Sequence, residues 1–143
     1  MSVPVPKRTS GELEINTLAR SLCVYTLQIT DNEKNFPGCR SFVENVRDAA
    51  LEIHMLCWRA NNIRVSGDAE RYAARMEAQN KAADRCNDLY ALIEIAKPLY
   101  HMSSKRAVYW QGLVVGVRNS IRAWHESDAK RLRPEEKELS IGV

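Results

Sequence analysis

A chain of 143 residues with 45% apolar side chains is the size of one domain and can build a core without a metal or disulfide staple. Its net charge is +3, but the distribution says more than the total: the basic excess sits in 98–133 and is modest beside dedicated nucleic-acid binders. Cys23, Cys39, Cys57 and Cys86 show no CxxC or CxH spacing, so no metal site is expected of them, nor any cofactor of the chain.

The opening MSVPVPKRTSG carries two prolines and lacks the apolar run of a secretory signal. Residues 1–10 are therefore expected to form a disordered arm. No stretch approaches the roughly 18 uninterrupted apolar residues of a membrane span. A cytoplasmic protein with no membrane partner is expected.

The first predicted helix covers about 11–30, where Ile15, Leu18, Leu22, Tyr25 and Ile29 recur at threes and fours. Thr30-Asp31-Asn32 and Phe36-Pro37-Gly38 then make a polar exit, because proline disfavours helix at the residue before it. The second helix covers about 39–64 on the stripe Phe42, Val46, Ala49, Ile53, Leu56 and Ala60. Asn61-Asn62 and Ser66-Gly67 supply turn chemistry, and Asp68 is placed to cap the next helix.

The third helix covers about 68–97 with Tyr72, Met76, Ala83, Cys86, Tyr90 and Ile93 on one face and Gln79 as its polar exception. Pro98 should end or kink it, and Ser103 or Ser104 can cap a fourth. That helix covers about 103–127 on Trp110, Leu113, Val117, Ile121 and Trp124, with the two indoles as core anchors. Residues 132–143 read as a disordered tail. Cys57 and Cys86 fall on these stripes and are expected as buried, reduced thiols. The fold class is all-α: one domain over 11–131, an antiparallel up-down four-helix bundle.

No catalytic constellation appears, and the chain is not expected to be an enzyme. The residues three before His54, His101 and His125 are Leu51, Pro98 and Arg122, so the Glu-x-x-His pairs of a di-iron bundle are missing. There is no phosphate-binding glycine loop and no nucleophile elbow. Asp84 and Asp88, flanked by Lys81 and Arg85, read as a solvated face.

The cations concentrate in 98–133, seven against two carboxylates. Lys105 and Arg106 open helix four, Arg118 and Arg122 are an i, i+4 pair off its apolar stripe, and Lys130, Arg131 and Arg133 follow its end. Such residues can clamp phosphates or an acidic protein surface. An ordinary solvated helix with cations favoured at its C-terminus accounts for the same pattern. A second surplus is apolar: Cys23, Val24, Leu27, Leu51, Trp58, Leu92, Ile95, Val108 and Val115 widen or oppose the stripes. Either the stripes are broad, which is common, or the helices present a second seam to copies of the same chain, the reading favoured here.

Four stretches carry a resemblance: TLQITDNEKNFPG at 26–38, RDAALEIHMLCWRAN at 47–61, RMEAQNKAADRCNDLYALIEIAK at 75–97 and YWQGLVVGVRNSIRAWHESD at 109–128. In order and spacing, from about Leu18 to Arg131, the chain resembles the accessory variability determinant (Avd) family of diversity-generating retroelements. The resemblance implies a four-helix bundle in a homopentameric barrel. It also implies two partners, a reverse transcriptase and the template-repeat RNA, which the protein holds together during mutagenic cDNA synthesis while the polymerase does the chemistry. Lys105, Arg106, Arg118, Arg122, Lys130, Arg131 and Arg133 are the residues expected to touch RNA or partner. The alternative is a self-associating bundle like those encoded by intervening sequences in 23S ribosomal RNA genes, with no reverse-transcriptase partner.

Overall fold

The computed structural model describes residues 10–134, with side chains from residue 14 onward. Most of the expected arm, and the expected tail beyond Pro134, lie outside the described residues. Four helices follow in chain order: α1 (Ser10–Thr30), α2 (Arg40–Asn62), α3 (Ala69–Leu99) and α4 (Ser104–Arg131). Each packs on its chain neighbours and α4 closes against α1, giving a four-helix bundle. Among the described residues there is no strand, and no helix is long and apolar enough to cross a membrane.

The helix ends follow from local chemistry. Gly38 and Cys39 both adopt positive φ, 70° and 48°, so the chain turns sharply into α2 with no side-chain cap. Gly67, at φ 80°, makes the next turn. Asp68 then caps α3, its Oδ1 accepting from the Glu70 and Arg71 amides at 2.9 and 3.1 Å. Pro98 ends α3 without kinking it, because it sits one residue from the terminus. There His101 takes φ 52°, its amide reaches the Pro98 carbonyl and the Met102 amide reaches that of Lys97, the double closure of a Schellman motif. Ser103 caps α4 by accepting from the Arg106 amide at 3.2 Å.

The predicted stripes hold in α2, where Val46, Ala49, Ile53, Leu56 and Ala60 are buried and Phe42 is half-buried. They hold too in α3, where Met76, Gln79, Ala83, Cys86 and Ile93 are buried and Tyr72 and Tyr90 half-buried, and in α4, where Trp110, Val117, Ile121 and Trp124 are buried; in α1 the face is rotated. In α1 the core face runs through Ile15, Ala19, Leu22 and Thr26, leaving Leu18, Tyr25 and Ile29 half-buried. In α3 it also takes in Ala78, Ala82, Leu89 and Ala96, and in α4 Val114 is buried while Leu113 is only partly so. Six alanines of α2 and α3, Ala49, Ala50, Ala60, Ala78, Ala82 and Ala83, belong to the buried core, and small side chains of this kind let packed helix backbones approach closely.

Two polar clusters sit inside this core. At one end Asp128, fully buried, accepts from Arg75 Nε at 2.7 Å, Gln79 Nε2 at 2.6 Å and Arg131 at 3.2 Å. The Arg75 guanidinium also donates to the Ile63 carbonyl at 3.2 Å and lies 5.2 Å from the Trp124 ring, so one residue ties the end of α2, the start of α3 and the end of α4. Helix four had been expected to stop near Ser127; it runs to Arg131, and the added turn carries Asp128. At the other end Trp110 Nε1 donates to Thr26 Oγ1 at 3.0 Å, and Arg47 donates to Thr30 Oγ1 at 2.7 Å, linking α4, α1 and α2.

All four cysteines are free thiols; Cys23, Cys57 and Cys86 are buried and Cys39 is exposed. Burial pushes the Cys57 and Cys86 thiols up to about 12. Unfolded thiols ionise near 9 while these two stay protonated, so their contribution to stability is intact below pH 9 and lost between about 9 and about 12. In the folded protein at neutral pH an aromatic disulfide reagent should label Cys39 rapidly and the other three only on unfolding; fast labelling of Cys57 or Cys86 would contradict their burial. Asp128→Ala strands Arg75 in the core and should lower the urea unfolding free energy by about 3–5 kcal/mol, the range for a broken buried pair.

Candidate nucleic-acid interface

The seven predicted cations do not form one patch. They spread along and around a helix of 28 residues, about 40 Å long at 1.5 Å per residue, in three groups with different surroundings.

Lys105 and Arg106 lie in the first turn of α4, which has no acidic residue, so both stand against the positive end of the helix dipole. Arg106 lines a cavity of about 430 Å3 where the α1–α2 loop meets the α3–α4 turn; Lys34, Phe36, Tyr100, His101 and Ser103 line it too. No carboxylate is among the described residues that line it. Glu33, from the same loop as Lys34, lines the neighbouring cleft instead and pairs with Arg40 at 3.5 Å. The inner wall is aromatic: Phe36 is buried, with ring centroids 4.9 Å from Tyr100 and 6.3 Å from Trp110. Tyr100 donates its hydroxyl to the Gly38 carbonyl at 3.3 Å, fastening the turn to the loop. Burial raises the Tyr25 phenol above its usual range, and the nearby Arg106 charge partly opposes that rise.

Arg118 and Arg122 lie on the α3 side of α4. Arg118 donates to Asn87 Oδ1 at 3.0 Å, and its buried Nε has no partner. Arg122 is exposed at the edge of a cleft of about 640 Å3 that Asn80, Asp84, His125 and Glu126 share. Among the described residues, none of Lys105, Arg106, Arg118 and Arg122 forms an ion pair.

The last group is different. Lys130 pairs with Glu126 at 3.4 Å and Arg131 with Asp128 at 3.2 Å, both within α4, and Arg131 thereby belongs to the buried cluster. Arg133 is exposed beyond the helix end. The cations in the first two thirds of α4 thus have no ion pair among the described residues, whereas Lys130 and Arg131 are paired. Lys34 and His101 are additions that sequence reasoning missed, because each sits in a loop that only tertiary packing carries to Arg106.

Three further features bear on function. His54 is half-buried, and burial together with the Arg20 charge lowers its pKa, so it is the neutral imidazole at pH 7. Of the surplus apolar residues, Val24, Leu51, Trp58, Ile95 and Val108 are exposed, Cys23 is buried and Leu27, Leu92 and Val115 are half-buried. Leu51, Met55 and Trp58, at 42, 48 and 54% exposure, follow the i, i+4, i+7 spacing of one α2 face. Arg47 reaches Leu27, and Arg20 lies near His54, which sets Val24 of α1 level with Leu51. Val24, Leu51, Met55 and Trp58 are thus exposed apolar residues at neighbouring levels of α1 and α2, and such a group carries meaning that scattered apolar residues do not.

No protein-family model, curated protein or solved structure matches the chain.

Proposed function

We propose that the protein is a non-catalytic accessory scaffold of a diversity-generating retroelement, one that holds a reverse transcriptase and its template-repeat RNA during mutagenic cDNA synthesis in the cytoplasm. The observation that carries this reading beyond the resemblance is the unpaired state of Lys105, Arg106, Arg118 and Arg122. These cations sit on one helix and none is ion-paired among the described residues, a state that suits phosphate contact, although Asp84 and Glu126 line the cleft that Arg122 edges. Lys130 and Arg131 contribute less, being held by Glu126 and Asp128.

The same reading takes the bundle as antiparallel and up-down, with copies assembled into a homopentameric barrel. The group of Val24, Leu51, Met55 and Trp58 supports self-association, since a protein of this size gains by covering such a surface. That group also favours the second reading, a self-associating bundle of the 23S ribosomal intervening-sequence kind without a polymerase partner. RNA binding separates the two.

In a gel-shift assay at low salt, the protein with its reverse transcriptase should retain template RNA. Arg118→Glu with Arg122→Glu should weaken retention and flatten the salt dependence by about 0.7 in log–log slope per lost phosphate contact on a single strand. Absence of RNA retention at low salt, with and without the polymerase, would sink the scaffold reading. Sedimentation should show an assembly heavier than the 16.3 kDa chain, and Leu51→Asp with Trp58→Asp should return it toward one chain mass. A wild-type protein that sediments as a monomer rules out self-association.

A further inference from the structure

We propose that the cavity between the α1–α2 loop and the α3–α4 turn binds a phosphomonoester dianion, the terminal phosphate of an RNA strand, through Lys34, Arg106 and His101. This deepens the RNA-scaffold reading and rests on it for the identity of the phosphate's carrier, though not for the phosphate chemistry itself.

Charge balance is the first reason. Lys34 and Arg106 come from segments far apart in sequence, line one cavity, and form no ion pair among the described residues. His101 adds an imidazole, and no carboxylate is among the described lining residues. Glu33 is the acid best placed by sequence to neutralise Lys34, and it is paired with Arg40 on the neighbouring cleft. Two permanent cations with no counter-charge are overmatched to an internal phosphodiester, which brings one negative charge. A terminal phosphate brings about 1.5 to 2 negative charges at pH 7 and three acceptor oxygens, which suits two cations and a ring N–H.

Shape is the second reason. About 430 Å3 lies within the range of small-ligand sites, roughly 300 to 1,000 Å3, and holds one nucleotide rather than a length of duplex. The Phe36 and Tyr100 rings close the inner wall and leave the mouth at the end of the bundle, where a strand terminus can enter. The walls are also fixed in advance. The Tyr100 hydroxyl ties turn to loop, the Schellman closure sets His101, and Ser103 fixes the first turn that carries Arg106. Binding therefore loses little entropy in ordering the site. The helix dipole adds a positive potential, although the Arg106 amide is already taken by Ser103.

The test uses the full chain and one single-stranded oligoribonucleotide, labelled at its 3′ end and made with either a 5′-phosphate or a 5′-hydroxyl. Fluorescence anisotropy should give an affinity ratio of about tenfold in favour of the phosphate, equivalent to about 1.4 kcal/mol. Lys34→Ala should bring that ratio close to one, and Lys34→Arg should restore it. Equal affinity of the two strands for the wild type overturns the site while leaving RNA binding intact, as does a ratio that Lys34→Ala does not change. If neither strand binds, the RNA reading fails and the site is judged by thermal shift alone. Stabilisation by adenosine 5′-monophosphate or inorganic phosphate, but not by adenosine, then upholds a phosphate site with a small-molecule source, and no shift with any of them overturns it.

Discussion

A carboxylate with no exposure to water must be satisfied from within, and Asp128 imposes that requirement on α3 and α4 together. Its partners Arg75 and Gln79 lie one turn apart on α3, and Arg131 lies in the last turn of α4. Meeting them together fixes how far α3 and α4 slide past each other. The second link, from Arg75 to the Ile63 carbonyl, extends the same constraint to the end of α2. Apolar contact between helices tolerates a shift of register; a carboxylate held by three donors does not. The positions of Asn87 opposite Arg118 and of Tyr90 opposite Gln111 follow from that register.

Much of the fold was legible in the sequence because helix periodicity is a local property. The four elements, the Asp68 and Ser103 caps and the buried thiols all came from residues within a few positions of one another. What failed was the α1 stripe and the placing of the large tyrosines. Tyr25 and Tyr90 look like core residues by size, yet they are half-buried while Ala19 and Ala82 are fully buried, small residues whose weak individual signal is decisive only when two backbones come close. Gln79 stood out as a polar exception, but nothing local says that its amide meets Asp128 across the bundle.

The candidate site was legible only as charge. Seven cations in one segment are visible by counting, whereas their fates depend on partners elsewhere. Arg131 turned to a buried aspartate of its own helix, Arg118 to an amide of α3, and Arg106 to a cavity completed by Lys34 and His101. The exposed apolar group was half legible: Leu51 and Trp58 are off-stripe by inspection, but Met55 joins them and Val24 aligns with them only once α1 lies against α2.

Polar clusters at the two ends give the bundle a mechanical character. One joins α1, α2 and α4 through Thr26, Thr30, Arg47 and Trp110, and the other joins α2, α3 and α4 through Arg75 and Asp128. A rod clamped at both ends neither telescopes nor splays. Groups at the loop end and groups near the opposite end are thus kept at a set spacing of about 40 Å, the length of α4. The molecule is, in that sense, a ruler.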